Sequence, residues 1–273
     1  MDKYAILGYP VKHSFSPQIH NPAFKYLGID AHYEKIEIYP DLFDKKIIEL
    51  KSGEFKGFNI TIPFKQKIIA QLDEIEPLAK KVNAVNTVKI IDGKWIGYNT
   101  DVYGFLKPIQ NDLSEIKKVL IIGAGGAANA VCFALIENTD IKELIIANRT
   151  YSNAVVLRNR LKKYYDLTIE GISLSGIANF SQRYDLIINT SSVGMSKLVN
   201  LNPLDVKEFS NASTVVYDLI YNPPETLFLK RARELNIRTI NGLPMLIAQA
   251  QKSFEIWTGK SFPQNVLNTN PVW

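Results

Sequence analysis

The chain is 273 residues long, more than one hydrophobic core ordinarily serves, so two domains are expected. Hydrophobic residues make up 46% and charged residues 22%, which excludes a disordered chain. The net charge of +5 is scattered, with no basic run longer than a pair such as Lys80-Lys81 or Lys162-Lys163. No nucleic-acid partner is therefore expected, and small anions suit the excess better.

The sequence opens MDKYAILG, directly in a strand and with no charged-then-apolar leader, so no export signal and a cytoplasmic location are expected. GYPVKHSFSPQIHN (Gly8–Asn21) follows, with two hydroxyls, Ser14 and Ser16, just before a helix. Ser16-Pro17 reads as a cap followed by proline at the first helical position. Capping accounts for Ser16 but not for Ser14 or the dense polar loop, and two hydroxyls with nearby amides suit a carboxylate. His13 and His20 are catalytic candidates by residue type, but three histidines without ligand-like spacing give no metal site. Pro22 removes a helical hydrogen bond, so the helix should either kink there or begin at Asn21.

HYEKIEI and FNITI read as strands. In FNITIPFKQK (Phe58–Lys67), alternation turns Ile60 and Ile62 to one face and Asn59 and Thr61 to the other. Pro63 ends the strand, and Lys65 follows two residues later. In VNTVKIIDGKWIGYNTD, Asp92-Gly93 between alternating runs predicts a two-residue hairpin turn. Ile91 then faces Lys94 and Asn86 faces Asn99, which brings Asn86 and Asp101 to one end of the ribbon.

VLIIGAGGAANAVCFALI, residues 119–136, approaches membrane-spanning length, but its clustered glycines predict a strand, a tight turn and a buried helix. No membrane partner is expected. Cys132, set among Val131, Phe133 and Ala134, excludes an internal disulfide and reads as a buried, inert thiol. From Lys117, the runs KKVLIIG, ELIIANR, LTIEGI, DLIINT, TVVYDLI and IRTING are mostly separated by helix-length segments, which predicts a parallel sheet covered on both faces. A last helix is expected over MLIAQAQKSFEIWTG, stopping at Gly259.

Gly123, Gly125 and Ala128 match the G-x-G-x-x-G/A dinucleotide fingerprint, after a strand and opening a helix. With Ala124, Gly126 and Ala127 they form a loop whose free amides and helix dipole suit a pyrophosphate. The next strand ends in Asn148, Arg149 and Thr150 rather than an acidic residue. A guanidinium there suits a 2′-phosphate, so NADP is expected rather than NAD.

These motifs, in order and over nearly the whole length, resemble shikimate dehydrogenase: GYPVKHSFSPQIHN, NITIPFK, AVNT, GYNTD followed by Gly104-Phe105, GAGGAA, NRT, NTSSVGM (Asn189–Met195), DLIYNP (Asp218–Pro223) and GLPMLIAQA (Gly242–Ala250). The resemblance implies reversible, NADP-dependent reduction of 3-dehydroshikimate to shikimate in aromatic amino-acid synthesis. It implies a two-domain α/β fold: a substrate domain with a mainly parallel sheet over residues 1–106, completed by 241–273, and a Rossmann-like NADP domain over 107–240. By the same resemblance, Ser14 and Ser16 bind the substrate carboxylate. Thr61, Lys65, Asn86, Asp101 and Gln249 surround its hydroxyls and reacting carbon, with Tyr221 nearby, and Met195 and Gly242 lie near the nicotinamide. A small-molecule substrate and a monomer or homodimer are expected.

Three positions depart from the family pattern. Asn83 stands where glycine usually precedes AVNT, and asparagine tolerates positive φ better than most residues. Asn153 stands where a second basic residue often follows NRT, and Pro22 has no functional account. Hydride transfer to a ketone places negative charge on oxygen, which needs a proton or a cation. A free lysine is protonated at neutral pH, and an adjacent carboxylate keeps it so, hence Lys65 paired with Asp101 reads as an acid in the reducing direction. Alternative readings are a quinate/shikimate enzyme with relaxed cofactor use, a non-catalytic metabolite sensor, and a folate one-carbon dehydrogenase. The SFSP and GYNTD motifs do not suit the last of these.

Overall fold

The computed structural model describes residues 1–180 and 182–269. Two compact units are present: Met1–Gly104 with the chain from Ile247, and Phe105–Leu246. These borders fall within a few residues of the division drawn from the motifs, and residues 270–273 of that division lie outside the described residues.

The first unit runs β1 (Asp2–Gly8), α1 (Ser16–Tyr26), β2 (Ala31–Glu37), α2 (Phe43–Lys51), β3 (Phe55–Ile60), β4 (Glu74–Ile75), α3 (Pro77–Val82), β5 (Thr87–Ile91), β6 (Lys94–Tyr98) and the start of α4 (Asp101–Leu106). Its sheet has the order β2-β1-β3-β5-β6-β4. The β1–β2, β1–β3 and β4–β6 pairs are parallel, and β3–β5 and β5–β6 antiparallel. Asp92 and Gly93 both take positive φ (49° and 77°), which a hairpin turn matched to strand twist requires. The register is the expected one, with Ile91 opposite Lys94 and Thr87 opposite Tyr98.

β1 is buried from Tyr4 to Leu7 because both sheet faces are covered. Ala5 and Leu7 join Phe43, Ile47 and Leu50 of α2, with Phe58, Ile60 and Trp95, in one core. Tyr4 on the other face stacks on Phe24 of α1 at 5.1 Å and meets Trp257 at 5.0 Å. α1 presents Ile19, His20, Ala23 and Phe24 inward at helical spacing. It runs from Ser16 through Pro22 to Tyr26, so it does not begin at Asn21. Asn21 anchors the turn instead: its amide accepts from Tyr33 N–H at 2.8 Å and donates to Tyr33 C=O at 2.9 Å, satisfying the outer edge of β2. The Ile60/Ile62 alternation also fails. β3 ends at Ile60, and Ile62 stands 71% exposed in the turn beyond it.

The second unit holds β7 (Lys118–Ile122), α5 (Gly126–Asn138), β8 (Glu143–Asn148), α6 (Tyr151–Leu161), β9 (Thr168–Ser173), β10 (Leu186–Asn189), β11 (Val215–Asp218), α7 (Leu227–Glu234) and β12 (Arg238–Ile240). All neighbours in its sheet are parallel, in the order β12-β11-β10-β7-β8-β9. Strand order reverses between β7 and β10, the switch point at which doubly wound sheets bind ligands. The apolar run at 119–136 is therefore β7, a glycine turn and α5. Among the described residues no helix is long and apolar enough to cross a membrane. Cys132 is buried in α5, and desolvation pushes its thiol well above the usual range. α8 (Leu243–Thr258) begins in this unit and belongs to the first from Ile247, and α9 (Asn265–Thr269) follows.

Candidate active site

In the first unit the polar residues meet at the ends of β3, β5 and β6. Beyond β3, Thr61 N–H donates to Leu7 C=O at 2.9 Å, and the turn is anchored by buried Phe64, stacked on Phe43 at 4.5 Å. Lys65 follows, and its carbonyl accepts Val85 N–H at 2.8 Å, fixing its backbone beside the residue before Asn86. From there Lys65 Nζ reaches Asp101 Oδ2 at 2.6 Å, with side chains 22% and 9% exposed. The other carboxylate oxygen, Oδ1, accepts Asn86 Nδ2 at 2.8 Å. Asp101 opens α4, where Asn99 Oδ1 accepts Val102 N–H at 3.3 Å and Asn99 Nδ2 donates to Ala84 C=O at 2.8 Å. Asn83, the departure before AVNT, adopts φ 56° as the left-handed cap of α3, so the turn into Asn86 survives without glycine.

The hydroxyl pair lies at the start of α1. Ser16 is the first residue of the helix and Phe15 its cap, so Ser16 is not the capping residue expected from the sequence. The two hydroxyls are tied to each other instead: Ser14 Oγ accepts Ser16 N–H at 3.3 Å and donates to Ser16 Oγ at 3.1 Å. The preceding loop is tied to β2, with Val11 N–H on Glu37 at 3.2 Å and Lys35 Nζ on Lys12 C=O at 2.7 Å. His13 is exposed on that loop. His20 is fully buried against Tyr33 and Trp257, at ring distances of 4.5 and 5.2 Å, with no hydrogen-bond partner on either ring nitrogen. Burial lowers its pKa to about 3, with the nearby Asn59 amide opposing slightly, so His20 is a neutral core residue rather than a catalytic one.

Sequence reasoning missed the layer beneath Asn86 and Asp101. Asn59, Thr87, Thr100 and Ser253 are all buried and hydrogen-bonded to one another or to Asn86. The signal was present in part, since Thr87 and Thr100 each adjoin a named residue in AVNT and GYNTD. Ser253 stands one helical turn after Gln249, whose carbonyl accepts its hydroxyl at 2.9 Å. Gln249 is half-buried on α8.

In the second unit the glycine loop leaves β7 at the switch point. Gly123 has φ +113°, and a Cβ there would stand 2.4 Å from Thr190 Oγ1, so only glycine fits. Thr190 is held by Ile122 C=O, which accepts both its N–H and its hydroxyl at 2.8 Å. A Cβ at Gly125 or Gly126 would meet nothing within 4 Å, so the backbone of Ala124 to Ala127 is open to a ligand. The first helical bond of α5 runs from Asn129 N–H to Gly125 C=O at 3.0 Å, and no side chain caps the end. The amides of Gly126, Ala127 and Ala128 thus precede the ladder and carry the positive end of the helix dipole, as a pyrophosphate requires. Arg149 is exposed after β8, in a turn where Asn148 Nδ2 donates to Thr150 C=O at 2.9 Å. This donor set fits a dinucleotide carrying a further phosphate.

Asn189 shapes the NTSSVGM loop by bonding Ser191 N–H and Val193 C=O at 3.0 Å each, and Met195 at its end is 39% exposed. Its Nδ2 also donates to Asp218 at 3.0 Å. Burial pushes Asp218 up to about 6, against the stabilising bonds from Thr226, Ile220 N–H and Asn189. Tyr221 is half-buried in the loop beyond β11, and desolvation raises its phenol. Gly242 has a tight packing role: a Cβ there would lie 2.0 Å from Leu219 C=O.

Comparison with known proteins agrees along the chain. Residues 6–88 match the shikimate dehydrogenase substrate binding domain, 107–224 the shikimate/quinate 5-dehydrogenase family and 242–267 the shikimate 5′-dehydrogenase C-terminal domain. A shikimate dehydrogenase (NADP(+)) of Carboxydothermus hydrogenoformans is 43% identical over 272 residues, 96% of this chain and 93% of the relative. Its counterpart from Caldanaerobacter subterraneus subsp. tengcongensis is 39% identical over 266 residues, 97% and 94% of the two chains. The crystal structure of shikimate 5-dehydrogenase from Thermus thermophilus, in complex with NADP(H) and shikimate, superposes with TM-score 0.85 at 32% identity, covering 99% of this chain and 98% of that one. The chain belongs to the shikimate dehydrogenase family.

Proposed function

We propose that the chain reduces 3-dehydroshikimate reversibly to shikimate with NADPH, in the shikimate pathway, with Lys65 as proton donor. The observation that carries the residue assignment is the 2.6 Å contact of Lys65 Nζ with Asp101 Oδ2, whose other oxygen is held by Asn86. The bound dinucleotide supplies hydride chemistry, held by the Gly123–Ala127 backbone, with Asn148, Arg149 and Thr150 toward its 2′-phosphate and Met195 and Gly242 toward the nicotinamide.

As the substrate carbonyl gains negative charge, an ammonium beside it stabilises the oxygen and then transfers a proton. Asp101, 2.6 Å from Nζ, fixes where the ammonium points. Oxidation runs the same step backwards, with neutral Lys65 accepting the hydroxyl proton. Ser14 and Ser16 receive the substrate carboxylate, and Thr61, Asn86, Tyr221 and Gln249 its hydroxyls. A cytoplasmic location belongs to this reading and suits the buried free thiol of Cys132. The test is purified protein assayed with shikimate or quinate against NADP or NAD, following reduced-nicotinamide absorbance. Shikimate with NADP is expected to give the highest kcat/KM, and a silent enzyme in all four pairings rejects the reading.

A further inference from the structure

The orientation of the Asn86 amide follows from proton accounting. Thr100 N–H lies 2.7 Å from Asn86 Oδ1 and needs an acceptor, so the oxygen faces it. Nδ2 then faces Thr100 Oγ1 at 2.9 Å and Asp101 Oδ1 at 2.8 Å, and both its protons are used. The Thr100 hydroxyl therefore accepts from Asn86 and must send its own proton elsewhere. Ser253 Oγ at 3.1 Å is the nearest acceptor, ahead of Asn86 Oδ1 at 3.2 Å and Thr87 Oγ1 at 3.3 Å.

Ser253 completes the chain. Its hydroxyl donates to Gln249 C=O at 2.9 Å and accepts from Thr100 and from Thr87, the latter at 2.8 Å. Thr87 in turn accepts Asn59 Nδ2 at 3.1 Å, and Asn59 Oδ1 accepts the Tyr33 hydroxyl at 2.7 Å. Every donor has an acceptor, and Thr87, Thr100 and Ser253 are buried completely or almost so. A satisfied network in a low-dielectric interior is stiff, and the alternative bonds from Thr87 and Thr100 to Asn86 Oδ1, both 3.2 Å, are longer than those to Ser253. Reversing Asn86 would also turn its carbonyl oxygen toward the Asp101 carboxylate.

We propose that Thr100 is a positioning residue: with its amide and hydroxyl it holds Asn86 so that Nδ2 fixes Asp101 against Lys65, and Ser253 of α8 sets the direction of the Thr100 hydroxyl. This rests on the reading of Lys65–Asp101 as the proton-transfer pair. It also gives the C-terminal helix a part in the chemistry beyond carrying Gln249.

The experiment measures kcat, KM for both substrates and the pH profile of kcat for Thr100→Val, Thr100→Ser, Ser253→Ala and the Thr100→Val/Ser253→Ala double variant. Thr100→Val is expected to lower kcat at least about tenfold and shift the pH profile, with KM for NADP unchanged. Thr100→Ser, which keeps the hydroxyl, should restore kcat to within about threefold, and Ser253→Ala should fall between. The double variant should be no worse than Thr100→Val alone, because one relay is removed in both. A Thr100→Val enzyme that melts lower but keeps a kcat and pH profile within about twofold of the parent overturns the proposal. If Thr100→Val does not fold, an unchanged kcat and pH profile in Ser253→Ala overturns it. Lys65→Ala separates the two readings: an active Lys65→Ala sinks the proton-transfer assignment, whereas an inactive one beside an unaffected Thr100→Val sinks only the positioning role.

Discussion

The two units build their candidate sites from different materials. The first uses side chains: Lys65, Asp101, Asn86 and the layer of Asn59, Thr87, Thr100 and Ser253, gathered where an antiparallel hairpin joins a mixed sheet. The second uses backbone at the ends of parallel strands, where Gly123 and the open Gly125 and Gly126 expose main-chain amides. A side-chain site reads the chemical groups of one small molecule, whereas a backbone cradle reads a phosphate common to many. The first unit should therefore be most sensitive to changes of polarity at constant volume, and the second to changes of volume.

Gly242→Ala presses that contrast hardest. A single methyl would meet Leu219 C=O at 2.0 Å, so the loss should be about 3 kcal/mol or more, seen as a much lower Tm or insoluble protein. Gly125→Ala in the open part of the loop should leave Tm unchanged and raise KM for NADP. A stable Gly242→Ala variant would break the volume half of the comparison.

Acid provides a second handle with opposite signs in the two units. His20 in the first has a folded pKa of about 3, below the unfolded 6.5, so its contribution is present above pH 6.5 and is lost as pH falls toward 3. That loss is about 1.4 kcal/mol per pH unit, or nearly 3 kcal/mol at about pH 4.5. Asp218 in the second has a folded pKa of about 6, above the unfolded 3.8, so its contribution is present below pH 3.8 and lost as pH rises through 6. Denaturant titrations across this range should show a flatter acid limb in His20→Phe than in the parent. In Asp218→Asn, the loss of stability on going from acid to neutral pH should shrink. Parallel curves for parent and His20→Phe would remove the imidazole from the account.

The smallest effect concerns cofactor choice. In the proposed function Arg149 is the cation that meets the 2′-phosphate, and Asn153 carries no charge. Arg149→Ala should lower the NADP-over-NAD ratio of kcat/KM by about tenfold, the worth of one charge-assisted contact of roughly 1.5 kcal/mol. An unchanged ratio would place the discrimination elsewhere.

Much of this was legible in the sequence because it is local. Asp92-Gly93 determines the hairpin register, and with it the meeting of Asn86 and Asp101, since both glycine-like torsions fall on residues that tolerate them. The GAGGAA loop was legible for the same reason. What was not legible depends on long-range packing. Nothing near Pro22 announces that Asn21 will satisfy Tyr33 on a neighbouring strand, nor that β3 ends early enough to expose Ile62. Ser253 and Asn59 are 194 positions apart and become partners only once the C-terminal helix packs on the first sheet. His20 looked catalytic by residue type, and only its burial among Tyr33, Phe24, Phe254 and Trp257 shows otherwise.

The most direct measurement is steady-state turnover of Lys65→Ala with shikimate and NADP, beside calorimetric binding of shikimate to the same variant. The account predicts a kcat at least about a hundredfold below the parent, with shikimate binding still measurable. Turnover within a few-fold of the parent would contradict it, and would leave the Lys65–Asp101 pair as a structural contact only.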